Sequence, residues 1–351
     1  MKVALIVPGP FDSVSGGYSY DRRLVDGLRA LGHGAEVVEL AGRHPLPDAA
    51  ALDSARGALG ALPADAVPVV DGLGLPAFAP LADALAERRA VALVHHPTAL
   101  ETGFPEDDRE RLRATERDLF GRVARIVATS PLTARRLVED FGADPERVGV
   151  VEPGTDLAPR ASGSGGPGVA LLSVGALVPR KGHDVLLRAL GGLADLDWRL
   201  TIAGPEDRDP VHAHGLRSLA EELGIARRVA FAGAVDAAAL DALYAGADTF
   251  ALASHWEGYG MAVAEALARG LPVAVAAGGA LAELAPADAA VVSPPGDHVS
   301  LGKGLRRLLF DQRLRRSMAE AAWRAGQRLP RWEDRAAAFV AEIEKVRGTD
   351  R

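Results

Sequence analysis

Cysteine is absent from this chain of 351 residues. Its absence excludes disulfide frameworks, thiolate zinc sites and cysteine nucleophiles. Long hydrophobic runs are missing too, since no stretch approaches the roughly 18 consecutive apolar residues that indicate a membrane-spanning helix. The chain also lacks an excess of basic charge: 40 Lys and Arg stand against 47 Asp and Glu, a formal net charge of −7. We therefore expect no binding to nucleic acid through phosphate neutralisation.

What remains is typical of a globular protein, with 48% hydrophobic and 25% charged residues. The apolar run within residues 1–8 (MKVALIVP) is too short for the hydrophobic core of a signal peptide. We interpret these residues as a buried first strand. The length predicts about two domains. We expect a cytoplasmic protein, with peripheral contact to a membrane surface left open.

Short apolar runs alternate with longer amphipathic segments along the whole chain, as is typical of βαβ units and parallel sheets. The predicted strands of the first half are residues 3–7, 35–40, 67–70, 90–94 and 125–128, and its predicted helices are residues 18–31, 76–87, 106–122 and 130–141. The predicted strands of the second half are residues 169–174, 198–203, 228–231, 249–252, 272–275 and 290–292. Ser130 and Asp144 are predicted helix caps, because each precedes a proline.

Residues 161–168 (ASGSGGPG) carry almost no side chain that a core could bury, and they are the predicted linker. This linker separates α/β domains at residues 1–160 and 169–330. A last helix within residues 331–351 is expected to pack back across the hinge. Two such domains predict a cleft in which a small ligand binds at the carboxyl ends of the strands.

Two histidines, His95 and His96, end the fourth predicted strand. Because side chains alternate along a strand, one of them can face the cleft while the other points away. Metal ligation would need a third partner, and none lies nearby in the sequence. We interpret the pair as hydrogen-bonding or proton-transfer groups, with a purely structural loop histidine as the alternative.

The loop of residues 9–17 (GPFDSVSGG) follows the first strand, and its spacing does not match the GxGxxG fingerprint of a dinucleotide site. Its last two glycines, Gly16 and Gly17, favour close approach of the backbone to an anion at the start of a helix, although an ordinary turn is the alternative. Glu39 ends the second strand, as the ribose-binding acid of an NAD enzyme would. Without the fingerprint, an NAD enzyme is disfavoured.

Lysine occurs at only four positions, and Lys181 stands beside Arg180 between a strand and a helix. Two cations near free helix N–H groups suit a phosphate, whereas a solvated pair in a turn is the alternative. Residues 255–272 (HWEGYGMAVAEALARGLP) carry Glu257 in a glycine-rich loop and Glu265 in the next helix. This arrangement favours phosphate binding by the loop amides and hydroxyl binding by the two carboxylates, with an exposed helix glutamate as the alternative for Glu265.

These residues point to a family. The segment 257–273 (EGYGMAVAEALARGLPV), with its E-x7-E spacing, resembles the retaining glycosyltransferases of family 4, as do GALVPRKG, IAGP and YAGAD at residues 175–182, 202–205 and 244–248. The resemblance covers nearly the whole chain. It implies the α/β GT-B fold, in which two Rossmann-like parallel-sheet domains face each other across a cleft. The first domain would serve the acceptor and the second the nucleotide-sugar donor, with no cofactor and no metal.

By this resemblance the catalytic candidates are His95 at the reaction centre and Glu257 on the hydroxyls of the donor sugar, while Glu265 binds the donor ribose. The remaining donor-binding candidates are Gly16, Gly17, Arg180, Lys181, Gly258, Tyr259, Gly260, Met261 and Ala262, with His96, Gly175 and Val235 as further candidates. Ala176 stands where many members carry an arginine, and we expect Arg180 to substitute for it.

The sequence thus predicts a retaining glycosyltransferase that moves a sugar from a UDP- or GDP-linked donor to an acceptor hydroxyl. The acceptor is a small molecule, a glycan or a lipid-linked compound. A nucleotide-sugar epimerase or a sugar phosphorylase of the same fold is the nearest alternative. An NAD-dependent oxidoreductase and a sugar-binding protein without catalysis are the more distant ones.

Overall fold

The structure is a computed structural model that describes residues 1–101 and 103–347. The chain divides into two compact units. The first unit comprises Met1–Gly154 together with the C-terminal segment from Pro330, and the second comprises Thr155–Leu329. None of the helices in the described part of the chain combines the length and the apolar character needed to cross a lipid bilayer.

The first unit is built around a parallel sheet of six strands. These strands are β1 (Lys2–Pro8), β2 (Gly34–Leu40), β3 (Ala66–Asp71), β4 (Val91–Val94), β5 (Arg125–Ala128) and β6 (Val148–Val150). Its helices, as far as the end of β6, are α1 (Gly16–Ala30), α2 (Ala49–Ala61), α3 (Ala82–Glu87), α4 (Glu106–Arg122) and α5 (Pro131–Phe141). Every residue of β4 and β5 is buried, as expected for central strands covered on both faces.

A second parallel sheet of six strands forms the other unit. Its strands are β7 (Val169–Val174), β8 (Trp198–Ala203), β9 (Val229–Gly233), β10 (Thr249–Leu252), β11 (Val273–Ala276) and β12 (Ala290–Ser293). Its helices are α6 (His183–Gly191), α7 (Pro210–Glu222), α8 (Ala237–Ala245), α9 (Met261–Ala268), α10 (Leu281–Leu284), α11 (His298–Phe310) and α12 (Gln312–Gly326).

The last helix, α13 (Trp332–Arg347), belongs to the first unit, where it packs against α1 and β5. Phe339 and Ile343 of this helix are fully buried. Arg125 of β5 forms an ion pair with Glu342, in which its Nε lies 2.7 Å from Oε2. At Gly27 a Cβ atom would lie only 2.7 Å from the side chain of Ala336, so a glycine lets α1 and α13 approach closely.

In each sheet the order in which successive strands are added reverses once. The position of this reversal, the topological switch point, decides where a site can form. The strand orders are β2-β1-β3-β4-β5-β6 and β12-β11-β10-β7-β8-β9. In the first unit the order reverses between β1 and β3, and in the second unit between β7 and β10. Loops after strands that flank such a point diverge to opposite faces of the sheet and leave a crevice at its carboxyl edge.

The predicted strands are all confirmed to within two residues at either end. The predicted helix at residues 76–87 is only partly right, because Leu75–Leu81 forms a 3-10 helix that contains Pro76 and Pro80 and only Ala82–Glu87 is α-helical. Helix α2 and strand β6 were not predicted. Ser130 and Asp144 do cap helical segments, accepting bonds from the N–H groups of Thr133 and Glu146.

The position of the predicted linker is wrong. The chain passes between the units at Gly154–Thr155, and residues 161–168 lie in the second unit. The N–H groups of Ala161 and Ser162 donate to carbonyl groups of that unit, and the hydroxyl of Ser164 donates to Asp248 at 2.7 Å. The glycines and serines of residues 161–168 therefore belong to a segment that is hydrogen-bonded to the second unit, and they do not form a flexible linker between the units.

Candidate active site

A cluster around His95 lies at the carboxyl edge of the first sheet. His95 follows β4, Asp71 is the last residue of β3, and Asp21 lies in α1. The Nε2 atom of His95 is 3.1 Å from Asp21 Oδ1 and 3.4 Å from Asp71 Oδ2. Both carboxyl groups are buried, whereas 22% of the His95 side chain is exposed. At this edge of the sheet, the Nε2 atom of His95 thus lies within hydrogen-bonding distance of two carboxyl groups.

The electrostatics of this cluster favour a charged imidazole. Burial alone would lower the pKa of His95, but the Asp21 and Asp71 carboxylates outweigh it and raise that pKa to about 10. Burial also raises the pKa of the Asp21 carboxyl, against the opposing effect of His95. The two carboxylates therefore favour the protonated form of the His95 ring.

The surroundings of His95 leave its ring little freedom. A Cβ atom at Gly17 would lie 3.2 Å from its Cδ2, so the start of α1 rests directly on the imidazole. The ring of Tyr20 meets that of His95 edge-on, with 5.3 Å between the centroids. Helix α1 begins at Gly16 behind Ser15, whose hydroxyl accepts from the N–H of Tyr18.

His96 points away from this cluster, as the alternation of side chains along a strand predicts. Its Nε2 lies 2.8 Å from Glu101 Oε2. The loop that carries both histidines is fixed by Glu116, a buried acid of α4 that accepts from the N–H and hydroxyl of Thr98 and from the N–H of Ala99. Glu39, the residue that an NAD site would have used, accepts instead from the N–H of Phe11 at 3.1 Å and shapes the loop after β1.

A second cluster lies at the switch point of the other sheet. Lys181 follows β7 and Glu257 follows β10. Lys181 Nζ donates to Glu257 Oε1 at 2.6 Å, and the hydroxyl of Ser254 donates to the same oxygen at 2.7 Å. Arg180 Nη1 lies 3.6 Å from that oxygen and donates to the carbonyl of Trp256 at 2.7 Å. Two predicted cations and one predicted acid thus meet at one point.

Glu257 stays ionised although it is buried. Burial raises its pKa, but Lys181, Arg180 and Ser254 together lower it to about 2. Gly175, directly after β7, makes room for this contact, since a Cβ atom there would lie 3.1 Å from the aliphatic part of Lys181. Ala176 brings no charge to the cluster, and Arg180 places its guanidinium at this edge of the sheet. That Arg180 substitutes for an arginine at position 176 stays a prediction.

The start of α9 adds backbone donors to this edge. Gly260 precedes the helix with a φ of +102°, a conformation that favours glycine, and no side chain caps the first turn. Its carbonyl accepts from Val263 and Ala264, while Met261 and Ala262 at the helix start have no carbonyl one turn back to bond. Gly258 and the buried Tyr259 form the preceding turn. The N-terminus of α9 is thus open to an anion.

Glu265 lies one turn further into α9 and is half-buried. The hydroxyl of Tyr244 donates to its Oε2 at 2.9 Å. Burial raises the pKa of Glu265, while Tyr244 and Arg269 act in the opposite direction. Val235, by contrast, lies half-buried between β9 and α8, apart from these contacts. The sequence reasoning missed Asp21, Asp71, Ser254 and Tyr244 as members of the two clusters.

Among the residues that the structure describes, Asp21, Asp71 and His95 are the one set of three potential metal ligands whose donor atoms lie within 4.8 Å of one another. Those atoms already engage each other, because the His95 N–H is directed at the carboxylates. The second cluster pairs its acid with cations, which a metal ion would have to displace. The geometry of both clusters is that of hydrogen-bonded charge pairs.

Two family models match consecutive parts of the chain. The model described as Glycosyltransferase Family 4 matches residues 41–159, and the model described as Glycosyl transferases group 1 matches residues 157–324. The chain belongs to glycosyltransferase family 4. A relative from Thermomonospora curvata named D-inositol 3-phosphate glycosyltransferase is 35% identical over 275 residues, which are 69% of this chain and 64% of the relative. The chain spans between 40% and 64% of the length of the curated relatives it matches.

Solved structures of this glycosyltransferase class confirm the GT-B fold. Sucrose-phosphate synthase from Thermosynechococcus elongatus matches with a TM-score of 0.83 at 18% identity, over 100% of both chains. HepE from Anabaena, solved with UDP and glucose, matches with a TM-score of 0.75 at 16% identity, over 98% of this chain and 99% of that one. At such identities the likeness concerns the fold of this family 4 member, and its site is argued from its own residues.

Proposed function

We propose that this chain is a retaining, metal-independent glycosyltransferase that uses a UDP- or GDP-linked sugar. The observation that carries the proposal is the meeting of Arg180, Lys181 and Glu257 at a switch point, beside the uncapped start of α9. Cations and free amides suit a diphosphate, and a buried carboxylate suits sugar hydroxyls. One edge of the sheet therefore offers what both parts of a nucleotide sugar require.

In this proposal Glu257 holds hydroxyls of the donor sugar and Glu265 holds the ribose. Arg180 and Lys181 bind the diphosphate, since both cations already lie at the edge of the sheet and can exchange part of their contact with Glu257 for phosphate oxygens. The backbone groups of the second unit assigned to the phosphates are those of Gly258, Tyr259, Gly260, Met261 and Ala262. For Gly16 and Gly17, which belong to the first unit, contact with the phosphates stays a prediction from the sequence. Burial raises the pKa of Glu265, and a ribose diol would add hydroxyl donors to its carboxylate.

The chemistry follows from where charge develops. Breaking the bond between the anomeric carbon and the phosphate oxygen leaves negative charge on the departing diphosphate. Fixed cations and helix amides stabilise that charge more strongly in the transition state than in the ground state. His95 acts at the reaction centre, and we expect His95→Ala to slow transfer far more than it weakens nucleotide binding.

Calorimetric titration with UDP, GDP and NAD tests the donor site. We expect one of the two nucleoside diphosphates to bind the parent protein, and Lys181→Ala to weaken that binding by about ten- to a hundredfold, because a charge-assisted bond contributes roughly 1.5–3 kcal/mol. Glu265→Ala should weaken the same nucleotide through the ribose. Lys303→Ala, in which an exposed lysine of α11 in the same unit is removed, serves as the matched control.

Binding of NAD without a response to either diphosphate would overturn the proposal. If both variants bound the diphosphate as the parent does, the donor site would be misplaced. Mass spectrometry of products then separates transfer from epimerisation and phosphorolysis, which give an isomeric nucleotide sugar and a sugar phosphate respectively. D-inositol 3-phosphate belongs in the first panel of acceptors, because the relatives carry that name.

A further inference from the structure

We propose that Asp21 and Asp71 are positioning residues that hold His95 as a fixed imidazolium, so that His95 serves the transfer as a hydrogen-bond donor and not as a general base. This inference rests on the proposed function, since it concerns how His95 contributes there. It assigns roles to two acids that lie on different elements and are remote from each other in sequence.

The first argument is geometric. A histidine oriented by a single acid keeps freedom to rotate about that one bond, whereas the Nε2 of His95 has a carboxylate oxygen at 3.1 Å from α1 and another at 3.4 Å from β3. Asp71 is itself fixed, because its Oδ1 accepts from the N–H of Leu73 at 2.8 Å. Asp21 is held in a helix whose first turn rests on the imidazole at Gly17. Both acids are therefore placed before any substrate arrives.

The second argument concerns charge. The titratable groups that contact the imidazole include Asp21 and Tyr20 of α1 and Asp71 of β3. The tyrosine is neutral, because burial raises its pKa well above the usual value. Arg22 donates to the carbonyls of Phe11 and Ser13 and acts on Asp21 only through its field. Two acids thus face one imidazole, and the protonated ring is the form they favour.

A chemical consequence follows. An imidazolium has no lone pair with which to remove a proton, so His95 keeps its proton throughout the reaction. Its Nε2–H is committed to the acids, which leaves Nδ1–H as the donor for an oxygen that gains negative charge in the transition state. No bond to hydrogen is broken at His95 in this scheme.

The protonation state can be measured directly on the full-length protein. Nitrogen-15 NMR of the imidazoles, with the His95 signal assigned by its loss in His95→Gln, gives the charge of this ring among the nine histidines. We expect His95 to remain doubly protonated at pH 8. In Asp21→Asn and in Asp71→Asn, the midpoint of its titration should fall by about 1–3 pH units.

Turnover provides the second readout, with release of UDP from UDP-glucose as the probe. Because a cation is lost as the pH rises through its pKa, kcat of the parent should be level from pH 6.5 to 8.5. The kcat of each Asp→Asn variant should fall within that range, and its value at pH 8 should be lower by about tenfold or more. Asp26→Asn, an exposed acid on the same helix, is the matched control and should behave as the parent.

Several results would overturn the inference. A neutral His95 ring in the parent protein at pH 7.5 would overturn the inference. This test needs no variant, so it remains available if Asp21→Asn fails to fold. Unchanged titration of His95 in both Asp variants would overturn the inference as well. Loss of activity with a chelator and its recovery with zinc would make the cluster a metal site instead. If His95→Gln left turnover unchanged, the catalytic role in the proposed function would fail, while the NMR result would still stand for the cluster itself.

Discussion

Lys181 and Glu257 show how a single residue pair combines stability with binding. Their side chains are only 16% and 10% exposed, and the ion pair keeps the buried carboxylate charged. Removing one partner of such a pair leaves the other without compensation for its lost hydration. The pair that we assign to the proposed donor site therefore also stabilises the fold around it.

We expect Lys181→Met to lower the free energy of unfolding at pH 7 by about 1–3 kcal/mol. The folded-state pKa of Glu257 lies below its unfolded value, so its contribution is present above about pH 4.5 and is lost as the pH falls towards 2. Urea unfolding of parent and variant at pH 7 and at pH 3 should show a smaller difference at pH 3. Equal differences at both pH values would contradict this role of the pair.

At this scale the sequence predicted Lys181, Glu257 and His95 from local patterns, but it did not predict their partners. Asp71 directly follows the predicted neighbouring strand at residues 67–70, so the rule that drew attention to His95 applied to it equally. Asp21 lies on the same buried face of α1 as Leu24, Val25 and Leu28, where an acidic residue is unusual. That signal was present. Its pairing with His95, 74 positions away, depends on strand order and could not be found locally.

Among the elements, the start of α1 lies closest to His95 at Gly17, and the proposed role of His95 gives this contact a testable consequence. Gly17→Ala would place a methyl group 3.2 Å from the imidazole, and the ring must then move by a few tenths of an ångström from the position in which the two acids hold it. We expect kcat for UDP-glucose turnover to fall by about tenfold or more, with UDP affinity nearly unchanged.

Gly57→Ala is the matched control for this change. A Cβ atom at Gly57, in α2, meets nothing within 4 Å, so the substitution should keep activity and stabilise the helix by roughly 0.5–1 kcal/mol. An active Gly17→Ala protein with parental kcat would show that the contact with His95 tolerates displacement.

The strands could be predicted from sequence because buried parallel strands are short, continuous apolar runs, as in β4 and β5. Helix α2 was harder to recognise, since its AAALDSARGALGA sequence is dominated by alanine and shows weak amphipathic periodicity. Strand β6 has only three residues, too few for a pattern. Order within the sheets, which creates both switch points, is a property of the tertiary structure and leaves no local signal.

At the scale of the whole molecule, the first unit depends on a helix from the far end of the described chain. We expect Ile343→Ala to lower the stability of this unit by about 2–5 kcal/mol, because the side chain is fully buried against it. Scanning calorimetry checks this, and Glu344→Ala, an exposed neighbour, is the control. Destabilisation of the second unit instead would contradict the assignment of α13 to the first.

The chain crosses between the units twice, at Gly154–Thr155 and at Leu329–Pro330. On a ribosome the second unit is therefore complete in sequence before the first one is. Until α13 is synthesised, the surface around Tyr20 and Arg125 in the first unit stays uncovered. The second unit can already fold during this time. A chain whose synthesis stops before α13 would thus yield a complete second unit attached to an incomplete first one.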